Sequence, residues 1–213
     1  MTRVLLATRN PAKLAELRRI LAGITVDPVA LEIVGLDDTP GYAEVPETGE
    51  TFAANALLKA REGARRTGLL CVADDSGLTV QALNGMPGVL SARWAGPPRD
   101  DRRNLSLVLH QLADVPSERR GAAFVCAAAA VSPDGREHVV EGLLGGTLAP
   151  EPRGEGGFGY DPIFVPTGSS RTTAELSPVE KDAISHRGQA MRALAPLIGR
   201  LLHVAPTSVG YAP

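Results

Sequence analysis

Leu69-Leu70-Cys71-Val72-Ala73-Asp74-Asp75-Ser76-Gly77-Leu78 is the stretch on which the reading of this chain turns. Its first half is an unbroken apolar run, the composition of a short strand buried on both faces. Two adjacent carboxylates, a hydroxyl and a glycine follow. Side chains alternate along a strand, so a regular strand aims Asp74 and Asp75 in opposite directions. A strand that ends at these acids, with Gly77 permitting a sharp turn, instead brings both to the mouth of the sheet. Open α/β sheets place their ligands there. Carboxylates at a strand tip hold a divalent cation against phosphate or act as a general base. Asp and Ser also make ordinary surface turns, and the rest of the chain decides between these readings.

Upstream, residues 4–8 (Val-Leu-Leu-Ala-Thr) read as a buried first strand, with Asn10 as a helix cap and Pro11 at the first helical position. Leu14, Leu17 and Leu21 then recur at helical spacing. Thr8, Arg9, Asn10 and Lys13 thus gather at a strand-to-helix junction. Free N–H groups, the helix dipole and the Arg9 and Lys13 charges would suit a phosphate cradle without P-loop glycines, although strand-to-helix junctions often carry Asn and Lys without binding phosphate. A second strand falls at 32–36. Thr51 caps a long helix ending near Gly68, on which Thr51, Asn55, Lys59 and Glu62 share a polar side. A lone helical Lys usually faces solvent, but this helix leads directly into the Asp74-Asp75 stretch, which favours Lys59 facing the same cleft.

Downstream, Gly85-Met86-Pro87-Gly88 is a loop, and 89–96 a short extended or helical piece packing Trp94. Asp100 or Asp101 caps a helix with Leu105, Val108, Leu109 and Leu112 on one face, and His110 reads as surface. Residues 122–131 and 137–144, joined by Ser132-Pro133-Asp134-Gly135, form an antiparallel hairpin, so the sheet is mixed. Arg153-Gly154-Glu155-Gly156-Gly157-Phe158-Gly159-Tyr160-Asp161-Pro162 lets backbone approach a flat ligand while an aromatic ring stacks on it. A strand at 163–165 follows. Ser177-Pro178-Val179-Glu180 is a capping box with Lys181 just inside the helix. Ser185-His186-Arg187-Gly188 opens a last helix, with Met191, Leu194, Leu197, Ile198 and Leu201 inward; residues 204–213 read as a weakly ordered tail.

The 213 residues carry a net charge of −2, with 44% hydrophobic, 22% charged and 4% aromatic residues. That length suits one α/β domain. The lack of a basic field and the scarcity of aromatics argue against nucleic acid as a partner. Arg99, Arg102 and Arg103 form a local cluster that reads as a solvated face. Cys71 and Cys126 lie in apolar runs without metal-ligand spacing and read as reduced core residues. No signal peptide and no run of transmembrane length appear, so a soluble cytoplasmic protein without a membrane partner is expected.

Taken in order, these segments resemble the inosine/xanthosine triphosphate pyrophosphatases, which act on noncanonical purine nucleotides. The matching pieces are Thr8-Arg9-Asn10 with Lys13; Glu47-Thr48-Gly49 with Phe52, Asn55-Ala56 and Lys59; and Ala73-Asp74-Asp75-Ser76-Gly77-Leu78. Gly88 with Ser91-Ala92-Arg93 follows, then Gly156-Gly157-Phe158-Gly159-Tyr160-Asp161-Pro162-Ile163-Phe164. Ala174-Glu175-Leu176, Lys181 and Ile184-Ser185-His186-Arg187-Gly188 complete the set. The resemblance runs from Val4 to about Leu201. Arg9 stands where many relatives carry a smaller residue, and Trp94 where tyrosine is more usual.

The resemblance implies one α/β domain over 1–213, an elongated mixed β-sheet with flanking helices and two lobes around a central cleft. It implies a homodimer and Mg²⁺-dependent hydrolysis of ITP, dITP and XTP to monophosphate and pyrophosphate. Asp75 is then the candidate base and Lys59 a second catalytic group, with Glu47, Asp75 and Asp74 as the metal's carboxylates. Lys13 and the Asn10 helix start, with Thr8, Arg9 and Ser76, suit the phosphates. Phe158 suits stacking on the purine beside Gly159 and Tyr160, and Asp161, Lys181, His186 and Arg187 suit reading its edge. Two rival readings use the same cleft: a non-catalytic nucleotide-binding protein, and a pyrophosphatase for other modified nucleotides.

Overall fold

The computed structural model describes residues 2–22, 31–40, 42–43 and 45–203, so the tail expected at 204–213 lies outside the described residues. Strands β1 (Thr2–Leu6), β2 (Leu31–Val34), β3 (Leu70–Val80), β4 (Gly121–Val131), β5 (Glu137–Leu148) and β6 (Phe164–Pro166) form one sheet in the order β2-β1-β3-β4-β5-β6. β1 pairs in parallel with β2 and β3, while β3, β4, β5 and β6 pair antiparallel in succession. Parallel neighbours need crossovers, and α1 (Pro11–Ala22) and α2 (Phe52–Thr67) lie in those connections. Helices α3 (Asp101–Gln111), α4 (Pro178–Ile184) and α5 (His186–His203) complete the chain. No helix among the described residues is long and apolar enough to cross a membrane.

Alternation along the central strands divides the core. Val4, Leu6, Leu70, Val72, Cys126, Ala128 and Ala130 pack with Leu17, Ile20 and Leu21 of α1 and Met191, Leu194 and Ile198 of α5. Their neighbours Leu5, Ala7, Cys71, Ala73, Ala127 and Ala129 pack with Ala56, Ala60 and Ala64 of α2. A third cluster joins Leu78, Val80, Phe124 and Phe164 to Leu105, Val108 and Leu112 of α3. Both cysteines are free and buried, and burial pushes the Cys71 thiol up to about 12, which leaves it unreactive.

β3 does not end at its acids. It pairs with β4 without a break from Cys71↔Val131 to Val80↔Ala122, with Asp74 and Asp75 in mid-strand. A long partner strand satisfies the β3 backbone past the polar residues, so polarity alone does not terminate it. Gly77 serves close approach rather than a turn. A Cβ there would fall 2.3 Å from Ser91 Oγ and 2.6 Å from the Gly88 carbonyl oxygen. The 3₁₀ turn Gly88–Arg93 therefore presses onto β3, and Ser91 Oγ accepts the Leu78 N–H at 2.9 Å.

Gly142 of β5 has the same function against α5. Its Cβ would lie 2.1 Å from the His186 carbonyl oxygen and 2.7 Å from the Ala190 nitrogen, both backbone atoms that cannot step aside, whereas at Gly145 the nearest atom is 3.7 Å away. Gly142→Ala should therefore cost about 1–3 kcal/mol or more, and Gly145→Ala within about 0.5. Urea midpoints of the two variants check this; equal midpoints would mean that α5 is not held against Gly142.

Candidate active site

The alternation that sorts the core also sorts the two acids. Asp75 continues the Cys71-Ala73 face and meets α2. Asn55 Nδ2 donates to Asp75 Oδ2 at 3.2 Å, and Lys59 Nζ to Asp75 Oδ1 at 3.0 Å. Lys59 Nζ also reaches Glu47 Oε1 at 3.1 Å, while Arg93 Nη1 donates to Glu47 Oε2 at 2.7 Å. Local sequence builds this arrangement. Thr51 caps α2 by accepting the Ala54 N–H at 3.1 Å, and Gly68 ends it in a left-handed conformation. Asn55, one turn in, accepts the Gly49 N–H at 2.7 Å and so pins the segment that carries Glu47. Burial disfavours charge on both acids. Lys59 and Arg93 outweigh it at Glu47, whose carboxyl lies below its ordinary value. At the more deeply buried Asp75, burial outweighs Lys59 and Lys13, so its carboxyl is raised.

Asp74 faces the other way, towards α1 and α5. Its Oδ2 accepts from Lys13 Nζ at 3.1 Å, Arg187 Nε at 3.2 Å and Ser76 Oγ at 3.1 Å. Arg187 Nη1 donates to Glu16 Oε2 and Nη2 to Ser76 Oγ, each at 2.7 Å. Burial opposes the charge on Asp74, yet Lys13 and Arg187 hold its carboxyl far below the usual range. The mouth-of-sheet arrangement of both acids is thereby corrected: an unbroken strand keeps Asp74 on the opposite face from Glu47 and Asp75.

The start of α1 is also closed on itself. Asn10 Oδ1 accepts the Ala12 and Lys13 N–H groups at 2.9 and 3.2 Å, its carbonyl oxygen accepts the Leu14 N–H, and Pro11 has no N–H. The free N–H groups expected there are consumed by the cap, leaving the dipole and the side chains. Thr8 Oγ1 accepts the Asn10 N–H at 3.3 Å, and Arg9 donates to the Tyr42 carbonyl oxygen and lies against its ring.

Across the cleft, Asp161 organises the glycine-rich segment. Its Oδ2 accepts from Lys181 Nζ at 2.7 Å and from the Phe158 N–H at 2.8 Å, and its Oδ1 from Thr173 Oγ1 at 2.7 Å. Lys181 Nζ lies 5.0 Å, and Arg187 Cζ 5.7 Å, from the centroid of the Phe158 ring, within cation–π range. His186 stacks on Phe124 at 4.9 Å with Nδ1 buried and unpartnered. Burial, then the Arg187 and Lys181 charges, push its pKa well down and keep the imidazole neutral. The Tyr160 hydroxyl is committed to the Ser91 carbonyl oxygen at 2.8 Å.

One cleft of about 540 Å³ is lined by every site residue expected from the sequence except Asp74, which stands behind its wall. That volume lies in the range of small-molecule sites. The sequence reading missed Tyr42 and Asp101, which line the cleft, and Glu16, the buried partner of Arg187. Glu16 carries a faint signal: it sits three residues after Lys13, on the same side of α1.

Because the Asp74 carboxyl is depressed, its ionised form stabilises the fold above the unfolded value near pH ~4, and that contribution is lost as pH falls below it. Asp74→Asn leaves Arg187 and Lys13 undercompensated and should cost about 3–5 kcal/mol at pH 7. Urea unfolding at several pH values should show the gap to wild type narrowing below pH ~4. Equal stability at neutral pH would remove Asp74 from its anchoring role.

With this geometry in place, comparison with known proteins is specific. The model of the Ham1 family matches residues 4–197. A dITP/XTP pyrophosphatase of Mycobacteroides abscessus is 59% identical over 206 residues, covering 97% of this chain and 99% of that protein. Another, of Nocardia farcinica, is 62% identical over 203 residues, covering 94% and 97%. The solved structure of a HAM1 protein from Coxiella burnetii superposes with a TM-score of 0.81 at 40% identity, covering 94% of this chain and 100% of that one. A family match from strand β1 into helix α5, with relatives of this similarity along nearly the whole length, means that the chain belongs to the Ham1 family.

Proposed function

We propose that this protein hydrolyses the noncanonical purine nucleoside triphosphates ITP, dITP and XTP to monophosphate and pyrophosphate, removing them from the cytoplasmic nucleotide pool. One observation carries the reading: Glu47 and Asp75 converge on Lys59 in the same cleft that holds an aromatic ring over two cations. Relatives named dITP/XTP pyrophosphatase support the choice of substrate.

The donor set suits Mg²⁺. No cluster of three or more His, Cys, Asp or Glu side chains forms a ready-made cage among the described residues. Mg²⁺ favours one or two carboxylates with water and substrate phosphates, and Glu47 and Asp75 supply that pair. Held there, it would offset polyphosphate charge. Lys59 and Lys13 draw the phosphates in. Asp75, held at the cleft wall by Lys59 and Asn55, accepts a proton from the water that attacks the α-phosphorus. Phe158 stacks on the purine. Lys181 and the neutral His186 present donors to the 6-carbonyl, which hypoxanthine and xanthine carry where adenine carries an amino group. Arg187 has three N–H groups committed to Asp74, Glu16 and Ser76, and contributes chiefly by holding this wall. A homodimer fits the exposed apolar positions Val139 (41%) and Leu143 (57%) on the outer face of β5; sedimentation velocity tests it.

Pyrophosphate release from a panel of triphosphates with Mg²⁺ tests the activity. ITP, dITP and XTP should be cleaved, with kcat/KM for ATP lower by at least about 10². Equal cleavage of ATP and ITP would sink the proposed pocket. Asp75→Asn should lower kcat by about 10²–10⁴ with the fold retained by circular dichroism. Lys59→Ala should lower kcat/KM by about 10²–10³; rates within a few-fold of wild type would remove either residue from its role.

A further inference from the structure

Phe158 is positioned through its backbone. Gly157 (φ +72°) and Gly159 (φ +62°) flank it in left-handed conformations, which direct successive N–H groups to different acids. The Phe158 N–H donates to Asp161 Oδ2 at 2.8 Å, and the Gly159 N–H to Asp101 Oδ2 at 2.9 Å. The two attachments differ in kind. Asp161 is buried and itself fixed by Lys181 and Thr173. Asp101 is exposed, lies 58 residues away in sequence at the first position of α3, and lines the cleft. Helix α3 is a firm base for it, capped by Asp100 and anchored by Leu105 and Val108 in the third core cluster.

We propose that Asp101 is a positioning residue for the purine: by accepting the Gly159 N–H it fixes the outer end of the glycine-rich segment and holds the Phe158 ring in the orientation that stacks on the base. This rests on reading Phe158 as the stacking partner. The Gly156 N–H is already held by the Ala174 carbonyl oxygen at 3.0 Å, so the outer attachment fixes the short stretch Gly157-Phe158-Gly159; without it, that stretch samples conformations that binding must then suppress. The cost falls on substrate binding. The groups proposed for chemistry, Asp75 and Lys59, are held by α2 and β3 and do not depend on that attachment.

The test is steady-state hydrolysis of ITP with Mg²⁺ by the full-length protein and its Asp101→Ala, Asp101→Asn and Phe158→Ala variants. The single tryptophan, Trp94, donates to Gln111 Oε1 at 2.9 Å and reports on the integrity of α3. Asp101→Ala should raise KM about three- to tenfold with kcat within about twofold and Trp94 emission unchanged. Asp101→Asn keeps an oxygen that accepts the N–H and should stay within about twofold of wild type in KM. If Phe158→Ala raises KM and Asp101→Ala does not, the positioning role is wrong while the stacking reading stands. An Asp101→Asn variant as impaired as Asp101→Ala overturns it too, because the carboxylate would then act by charge. A rise in KM accompanied by altered Trp94 emission reduces Asp101 to a helix-stabilising residue. An unchanged KM in Phe158→Ala removes the stacking reading itself, and this proposal with it.

Discussion

A buried guanidinium needs acceptors that offset its lost hydration, and acids are the strongest of them; Arg187, 1% exposed, finds two in Asp74 and Glu16. Three elements are locked by this requirement. Asp74 and Ser76 come from β3, Glu16 and Lys13 from α1, and Arg187 from the first turn of α5. Apolar packing brings α1 and α5 onto the same face of the sheet, but packing alone is non-directional. Charge pairing sets their register against β3. It also fixes the wall on which Phe158, Lys181 and His186 are arranged.

The period of two along β3 then separates two kinds of carboxylate. Asp74, on the α5 face, is surrounded by cations and is held strongly ionised. Asp75, one residue on, shares a single lysine with Glu47 and is driven upward by burial. Adjacent residues of one type thus acquire opposite electrostatic characters from the faces they occupy. An anchoring acid needs the first character, and a proton acceptor is better served by the second.

Much of this was legible locally. The Thr51 cap and Gly68 stop of α2, the 132–135 turn between β4 and β5, and the Ser177 capping box all depend on residues within one turn of each other. Such features carry their own physical cause. The extent of β3 did not, because its continuation past Asp75 depends on a partner strand some fifty residues away. Asn10 was read correctly as a cap, yet its consequence for the N–H groups of α1 emerges only from the side-chain geometry. The Glu16–Arg187 pair spans 171 positions, and no local pattern links the two.

The charge pattern of the cleft bears on how a polyanion can enter it. Lys13 is paired with Asp74, Lys59 with Glu47 and Asp75, Arg93 with Glu47, and Lys181 with Asp161. At these four cations a triphosphate competes with carboxylates that already offset much of their charge. Lys59 is the sharpest case, since it keeps two acids at tolerable repulsion and is also the cation proposed to face the phosphates. Once it turns towards substrate, Glu47 and Asp75 face each other across a partly buried gap, where repulsion is screened far less than in water. A divalent cation held by Glu47 and Asp75 would ease both demands, by offsetting polyphosphate charge and the repulsion between the acids. On the proposed reading, a Mg²⁺ ion at these acids would answer to the pairing of the lysines as much as to the chemistry of phosphate.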